Sequence, residues 1–206
     1  MRLGRILAAA TLLCSLSLCS TDSTASAAIG MPAPAFVATD SNGGTVALSA
    51  LKGKTVVLEW SNDGCPFVRK QYRSGNMQSL QKAFTAQGVV WLTVISSAPG
   101  RQGYVNGAQA NRLSRERNAA PSAVLLDPQG ELGHIYDAKT TPHVFVIDKN
   151  GGLVYSGGVD SIDSTDPSDI SKAVPYLKNA LTETLANQPV TMPLTRPYGC
   201  SVKYAG

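Results

Sequence analysis

Two cysteines set the chemistry open to this sequence. Cys65 lies in Trp60-Ser61-Asn62-Asp63-Gly64-Cys65-Pro66-Phe67-Val68-Arg69-Lys70, and Cys200 lies far away in Gly199-Cys200-Ser201-Val202-Lys203-Tyr204. The apolar run Thr55-Val56-Val57-Leu58 ahead of the first motif reads as a buried strand. Pro66 suits a first helical position, where a backbone donor is not needed. The Cys65 sulfur is thereby expected at a helix N-terminus, where free N–H groups and the dipole favour an anion such as a thiolate. Arg69 and Lys70 follow about one turn later and add positive charge. Cys65 is therefore expected to be a reactive thiol. An inert buried thiol and a merely solvated Arg69 are the alternatives.

Cys14 and Cys19 belong to a different kind of segment. Met1-Arg2-Leu3-Gly4-Arg5 is basic, Ile6 to Cys19 is mostly apolar, and Ala25-Ser26-Ala27 has an Ala-x-Ala form. These are the three regions of a secretory signal peptide. The apolar run is too short to span a bilayer. A lipid-modified Cys19 competes, but Leu18 before it is bulky for such a site. Cleavage after Ala27 leaves Cys65 and Cys200 as a pair in an oxidising compartment, periplasmic or extracellular. Sequence separation rules out a tight redox loop between them and says nothing against their meeting in space. No stable membrane association is expected after cleavage.

The chain carries 18 Lys and Arg against 14 Asp and Glu. Arg2, Arg5 and Asp22 leave with the signal, so the balance falls to 16 against 13, a net of +3. That charge is mild and scattered, which argues against nucleic acid as a partner. Nothing in the sequence forms a phosphate loop, a paired acid and base for hydrolysis or a Ser/His/Asp set, and no cofactor is expected.

The elements that must hold Cys65 follow in α/β order. An extended entry at 29–35 precedes an edge strand at 36–40 and a short strand at 46–48. Strand 55–60 leads into the cysteine and its helix, which Ser74-Gly75-Asn76 interrupts. Asn76 is expected to cap a second piece over 77–87, with Gly88 as its stop. Val89 to Ile95 reads as a central strand covered on both faces. A helix over 107–118, a strand at 123–127 and a short helix at 131–137 come next. Strand 144–148 and the Asn150-Gly151-Gly152 turn form a hairpin with 153–156. A last helix is expected over 169–186, with Ile170, Val174, Leu177, Leu181 and Leu185 on one face. Prolines at 189, 193 and 197 keep the tail extended up to Cys200. Parallel crossovers should place Cys65 at the carboxyl end of a strand, where sheets of this kind gather reactive groups.

These residues resemble the thioredoxin fold: a strand, Trp60 and Cys65 at a helix start, then Thr141-Pro142 before a hairpin. The N-terminal extension and the insertion before residue 123 are similar to its peroxiredoxin-like redoxin branch, related to AhpC/TSA. Residues 60–72 and 199–204 match that group's Trp-Ser-Asn-x-x-Cys-Pro-Phe-Val-Arg-Lys-x-Tyr and Gly-Cys-Ser-(Ile/Val)-Lys-Tyr motifs. The resemblance implies a central mixed sheet flanked by helices over 28–188, with 189–206 as a tail carrying Cys200. It also implies a cis Pro142 facing Cys65, leaving the Thr141 backbone free to pair with an extended substrate.

The departures from the family pattern carry information too. Val68 stands where thioredoxins carry their second cysteine. Leu58 and Asn62 stand where peroxiredoxins carry Pro and Thr, and Asn62 is left as the donor to a peroxide. The resemblance thus implies a thiol oxidoreductase, with a small peroxide or a protein thiol or disulfide as partner. Since the exported chain keeps only these two cysteines, each in a distinctive motif, Cys65 is expected to attack and Cys200 to resolve the product as a Cys65–Cys200 disulfide. Trp60 is expected to be half core and half site wall. Two other classes stay open: a non-catalytic binding module whose Cys65–Cys200 disulfide only staples the tail, and a copper carrier using Cys65 and His143, with His134 the other histidine.

Overall fold

The structure, a computed structural model, describes residues 27–206. The expected signal segment lies, but for Ala27, outside them. The centre of the molecule is a seven-stranded sheet built from β1 (Val37–Asp40), β2 (Thr45–Ala47), β3 (Val56–Trp60), β4 (Val90–Ile95), β5 (Ala123–Leu126), β7 (His143–Ile147) and β8 (Leu153–Gly157), with β6 (Thr140–Thr141) outside it. The strand order is β2-β1-β5-β4-β3-β7-β8. β3 runs parallel to β4 and β4 to β5, whereas the remaining neighbours are antiparallel, so the sheet is mixed. The expected edge strand β1 is not at the edge: β2 covers its outer side, and β1 pairs with β5 on the other.

β3 and β7 are buried at every residue, which is why both read as continuous apolar runs. Side-chain alternation splits the core into two layers. Val57, Trp91, Val144, Val146 and Tyr155 face α1 (Pro66–Arg73), α2 (Asn76–Thr85) and α5 (Tyr176–Leu185). Leu58, Trp60, Leu92, Val94, Phe145 and Ile147 face the entry segment and α4 (Glu131–Ile135). α3 (Gly107–Glu116) packs through Ala110 on Ile95 and Val124. No described helix is long and apolar enough to cross a membrane.

Three helix ends differ from expectation. α2 is not capped by the Asn76 side chain: Gly75, at φ 76°, is the N-cap residue, and the Asn76 amide bonds Gln71 instead. α3 ends at Glu116, and its start is fixed by a capping box in which Asn106 and Gln109 satisfy each other's backbone N–H groups. The long last helix does not exist as one piece. A 3-10 turn covers Pro167–Lys172, Pro175 intervenes, and only then does α5 begin. Proline cannot donate within a helix, so the apolar period of 169–186 runs across a break.

The tail is more ordered than an extended segment need be. β9 (Cys200–Ser201) pairs antiparallel with β6. Cys200 packs on the core layer that holds α1, and Val202 is buried in the opposite layer. The tail therefore passes around the end of the sheet where β3 delivers Cys65.

Candidate functional site

Cys65 is the N-cap residue of α1, with Pro66 at the first helical position. Its sulfur is fully enclosed at 0% exposure, and the thiol donates to the Thr141 carbonyl at 3.0 Å. Thr141 precedes Pro142 across a cis peptide bond, as the family resemblance implies. The Thr141 backbone, expected to be free for a substrate, is occupied. β6 pairs it in register with Cys200, and the Thr141 hydroxyl donates to the Cys200 carbonyl at 3.4 Å. The two cysteines distant in sequence thus meet, both as free thiols.

The thiols differ in character. Burial pushes the Cys65 thiol up. The Cys200 thiol, the backbone of Val68 and Cys200, and the Thr141 side chain together outweigh it and hold Cys65 below the ordinary cysteine value. The bond to the Thr141 carbonyl opposes them, because only the protonated sulfur can make it. Burial, then the hydrogen bond to Cys65 and its charge, push Cys200 up to about 11, against a smaller pull from Lys203. Cys65 is the better thiolate of the pair.

The neighbours expected to tune the site mostly position it. Asn62 is buried, its amide donating to the Gln102 carbonyl at 3.1 Å and its oxygen accepting from Gly64 N–H at 2.8 Å. The carboxamide is thus committed to joining the cysteine turn to the 100–104 loop. Arg69 reaches back to the Asp63 carbonyl at 2.7 Å, and Arg117 pairs with the Asp63 carboxylate. Trp60 is entirely core. It is enclosed against Tyr136 and Phe145 in the layer away from Cys65, and its indole N–H donates to Ser96.

Lys70 departs furthest from expectation. Its ammonium is buried and makes no free positive charge at the thiol. It lies 3.5 Å from the Asp160 carboxylate and donates to the Ile162 carbonyl at 2.8 Å. Tyr198, from the tail, donates to the same carboxylate, and its ring meets Phe67 edge-on. On the far side of Cys200, Tyr204 stacks on His134 and donates to the Ala138 carbonyl at 2.7 Å. Both latches hold Cys200 in place without a disulfide.

Two participants carry little sequence signal. Gly199 has φ 142°, and a Cβ there would fall 2.1 Å from the Thr141 carbonyl oxygen. Only glycine lets the tail pass so close. Asp160 looks like one more loop acid. Glu59 is a third participant, and as an acid inside an apolar strand it is open to view. It is fully buried and accepts from Tyr72, Gln81, Trp91 and Thr93, and burial raises its carboxyl.

His143 is packed rather than presented. Nδ1 accepts from the Lys139 N–H at 3.3 Å and Nε2 lies 3.3 Å from the Ser156 hydroxyl, so both ring nitrogens are engaged. Burial lowers its pKa to about 4. Between about pH 6.5 and 4 the unfolded chain takes up a proton here and the folded chain does not, so stability falls as pH falls. Comparing urea unfolding of wild type with His143→Gln at pH 7 and pH 4 isolates this group. Wild type should lose about 3 kcal/mol more than the variant over that interval; parallel losses would contradict it.

A mixed sheet flanked by helices, with one cysteine at the strand-to-helix junction opposite a cis proline, defines a thioredoxin-fold thiol protein. More narrowly, the chain belongs to the Redoxin family, whose model matches residues 28–174. Family membership places it in the thiol-redox class. Among solved structures, an uncharacterized conserved protein of Geobacillus kaustophilus shares the fold at TM-score 0.74 and 24% identity, over 86% of this chain and 93% of that one. A hypothetical protein of Sinorhizobium meliloti 1021 does so at 0.73 and 19%, over 88% and 97%. A Chlorobium tepidum protein assigned as the thiol:disulfide interchange protein DsbE aligns at 0.57 and 23%, over 78% and 99%. No curated protein matches.

Proposed function

We propose that this chain is an exported thiol–disulfide oxidoreductase in which Cys65 is the attacking thiolate and Cys200 resolves it. The carrying observation is the pairing of Cys200 with Thr141 beside the Cys65 thiol. In the first step Cys65 Sγ attacks one sulfur of a partner disulfide, forming a mixed disulfide and releasing the partner's other sulfur as a thiolate. Cys200 then attacks Cys65 Sγ, its proton passing to the departing thiolate. The protein is left oxidised and the partner reduced.

Disulfide exchange is preferred over peroxide reduction because the Asn62 carboxamide is already spent on Gln102 and Gly64. The redox role is preferred over a staple because Tyr198 and Tyr204 anchor the tail independently. Export rests on the basic, apolar and Ala-x-Ala regions of residues 1–27.

The test treats reduced protein with one equivalent of a model disulfide and, separately, of peroxide, followed by non-reducing peptide mapping. A Cys65–Cys200 disulfide, formed faster with the model disulfide, is expected. A free Cys200 beside an oxidised Cys65 would sink the assignment.

A further inference from the structure

Once the two cysteines are joined, their surroundings are unequal. Cys65 sits inside the core layer made by α1 and β3, enclosed on all sides. Cys200 is partly exposed, on a two-residue strand with β6 as its sole sheet neighbour and the exposed Ser201 beside it. Exchange at sulfur requires the entering thiolate to line up opposite the leaving sulfur. An entering thiolate finds no exposed surface at Cys65, whereas Cys200 and the neighbouring Ser201 present theirs to solvent.

We infer that the oxidised protein is opened by thiols at Cys200, not at Cys65, so that Cys200 carries the mixed disulfide and Cys65 is the leaving group. This rests on the disulfide assigned above and names the substrate class, a solvent-borne thiol such as a monothiol or a protein dithiol. The entering thiolate forms a bond to Cys200 Sγ, the Sγ–Sγ bond breaks, and its electron pair departs on Cys65 Sγ as a thiolate. A dithiol partner completes the cycle. Its second thiolate attacks its own sulfur in the mixed disulfide, releasing Cys200 as a thiolate that takes up a proton. The partner leaves as a disulfide, and this protein as a dithiol.

Two further features agree with that direction. The backbone of Val68 and Cys200 and the Thr141 side chain remain donors when Cys200 is held in a disulfide, and they stabilise the departing Cys65 thiolate. Lys203 places positive charge near Cys200, favouring approach of an anion. The two routes are not each other's reverse because they serve different partners: the disulfide substrate meets Cys65 when the tail lifts, and a different, reducing thiol meets Cys200 while the Cys65–Cys200 bond holds the tail down.

The experiment uses the wild-type protein isolated with its Cys65–Cys200 disulfide. It is mixed with glutathione, quenched with acid at successive short times, alkylated and mapped by mass. The expected first product carries glutathione on Cys200 and the alkyl group on Cys65, in at least tenfold excess over the reverse adduct. Glutathione on Cys65 with alkylated Cys200 at the earliest times, or equal amounts of both, overturns the inference and leaves the disulfide assignment standing. If no Cys65–Cys200 disulfide can be isolated, the assignment itself fails and this inference falls with it.

Discussion

Lys70→Met is expected to cost about 3–5 kcal/mol of unfolding free energy, far more than loss of a helix-surface lysine would. The Lys70 ammonium lies in a buried cluster with Asp160, the Ile162 carbonyl and the Tyr198 hydroxyl. Removing it leaves the Asp160 carboxylate enclosed with neutral donors from Gln71, Ile162 and Tyr198 but no cation. An unpaired buried charge is the expensive outcome, and removing both charges together avoids it. Urea titration of Lys70→Met, Asp160→Asn and the double variant checks this. The double variant should be markedly more stable than the summed single losses predict. Strict additivity would mean that the two groups do not share one electrostatic site. Because Tyr198 belongs to the tail, Lys70→Met should also slow Cys65–Cys200 disulfide formation.

What the sequence made legible is local. Strand β3, the cysteine turn and the start of α1 follow from an apolar run, a small polar turn and a proline at the first helical position. The Asn150-Gly151-Gly152 hairpin follows from turn chemistry, Gly151 taking φ 88°. What stayed hidden is non-local. Lys70 has the spacing of a solvated helix residue and is buried only because the 158–163 segment and the tail close over it. Thr141 and Cys200 are 59 residues apart, and no periodicity links a two-residue strand to its partner. Asn62 carried the right atoms for a peroxide donor, but Gln102 and Gly64 use them. The break in the last helical stretch is the opposite case. Pro175 is plain in the sequence and breaks the helix there, whereas the apolar spacing of Ile170 and Val174 suggests continuity although Val174 is exposed.

The sharpest test of how the tail serves the site is Gly199→Ala. Gly199 sits at φ 142°, a backbone region that side chains do not tolerate, with the Thr141 carbonyl oxygen 2.1 Å from where a Cβ would stand. Neither party yields easily, because Thr141 is tied to Pro142 and accepts from the Cys65 thiol. The tail must therefore shift outward, breaking the register of β9 on β6 and withdrawing Cys200 from Cys65. Misplacing a reacting group by about 1 Å is enough to cost roughly 100-fold in rate, and a loss of that order is expected for disulfide closure. The Tyr198 and Tyr204 anchors flank the change, so global stability should suffer less than in Lys70→Met. Uncovering Cys65 has an opposite signature: alkylation of Cys65 in the reduced variant should become faster than in wild type. Slower closure together with faster alkylation identifies the tail as the cover of the enclosed thiol and the carrier of its partner. If both rates match wild type, the β6–β9 contact does not govern access to Cys65.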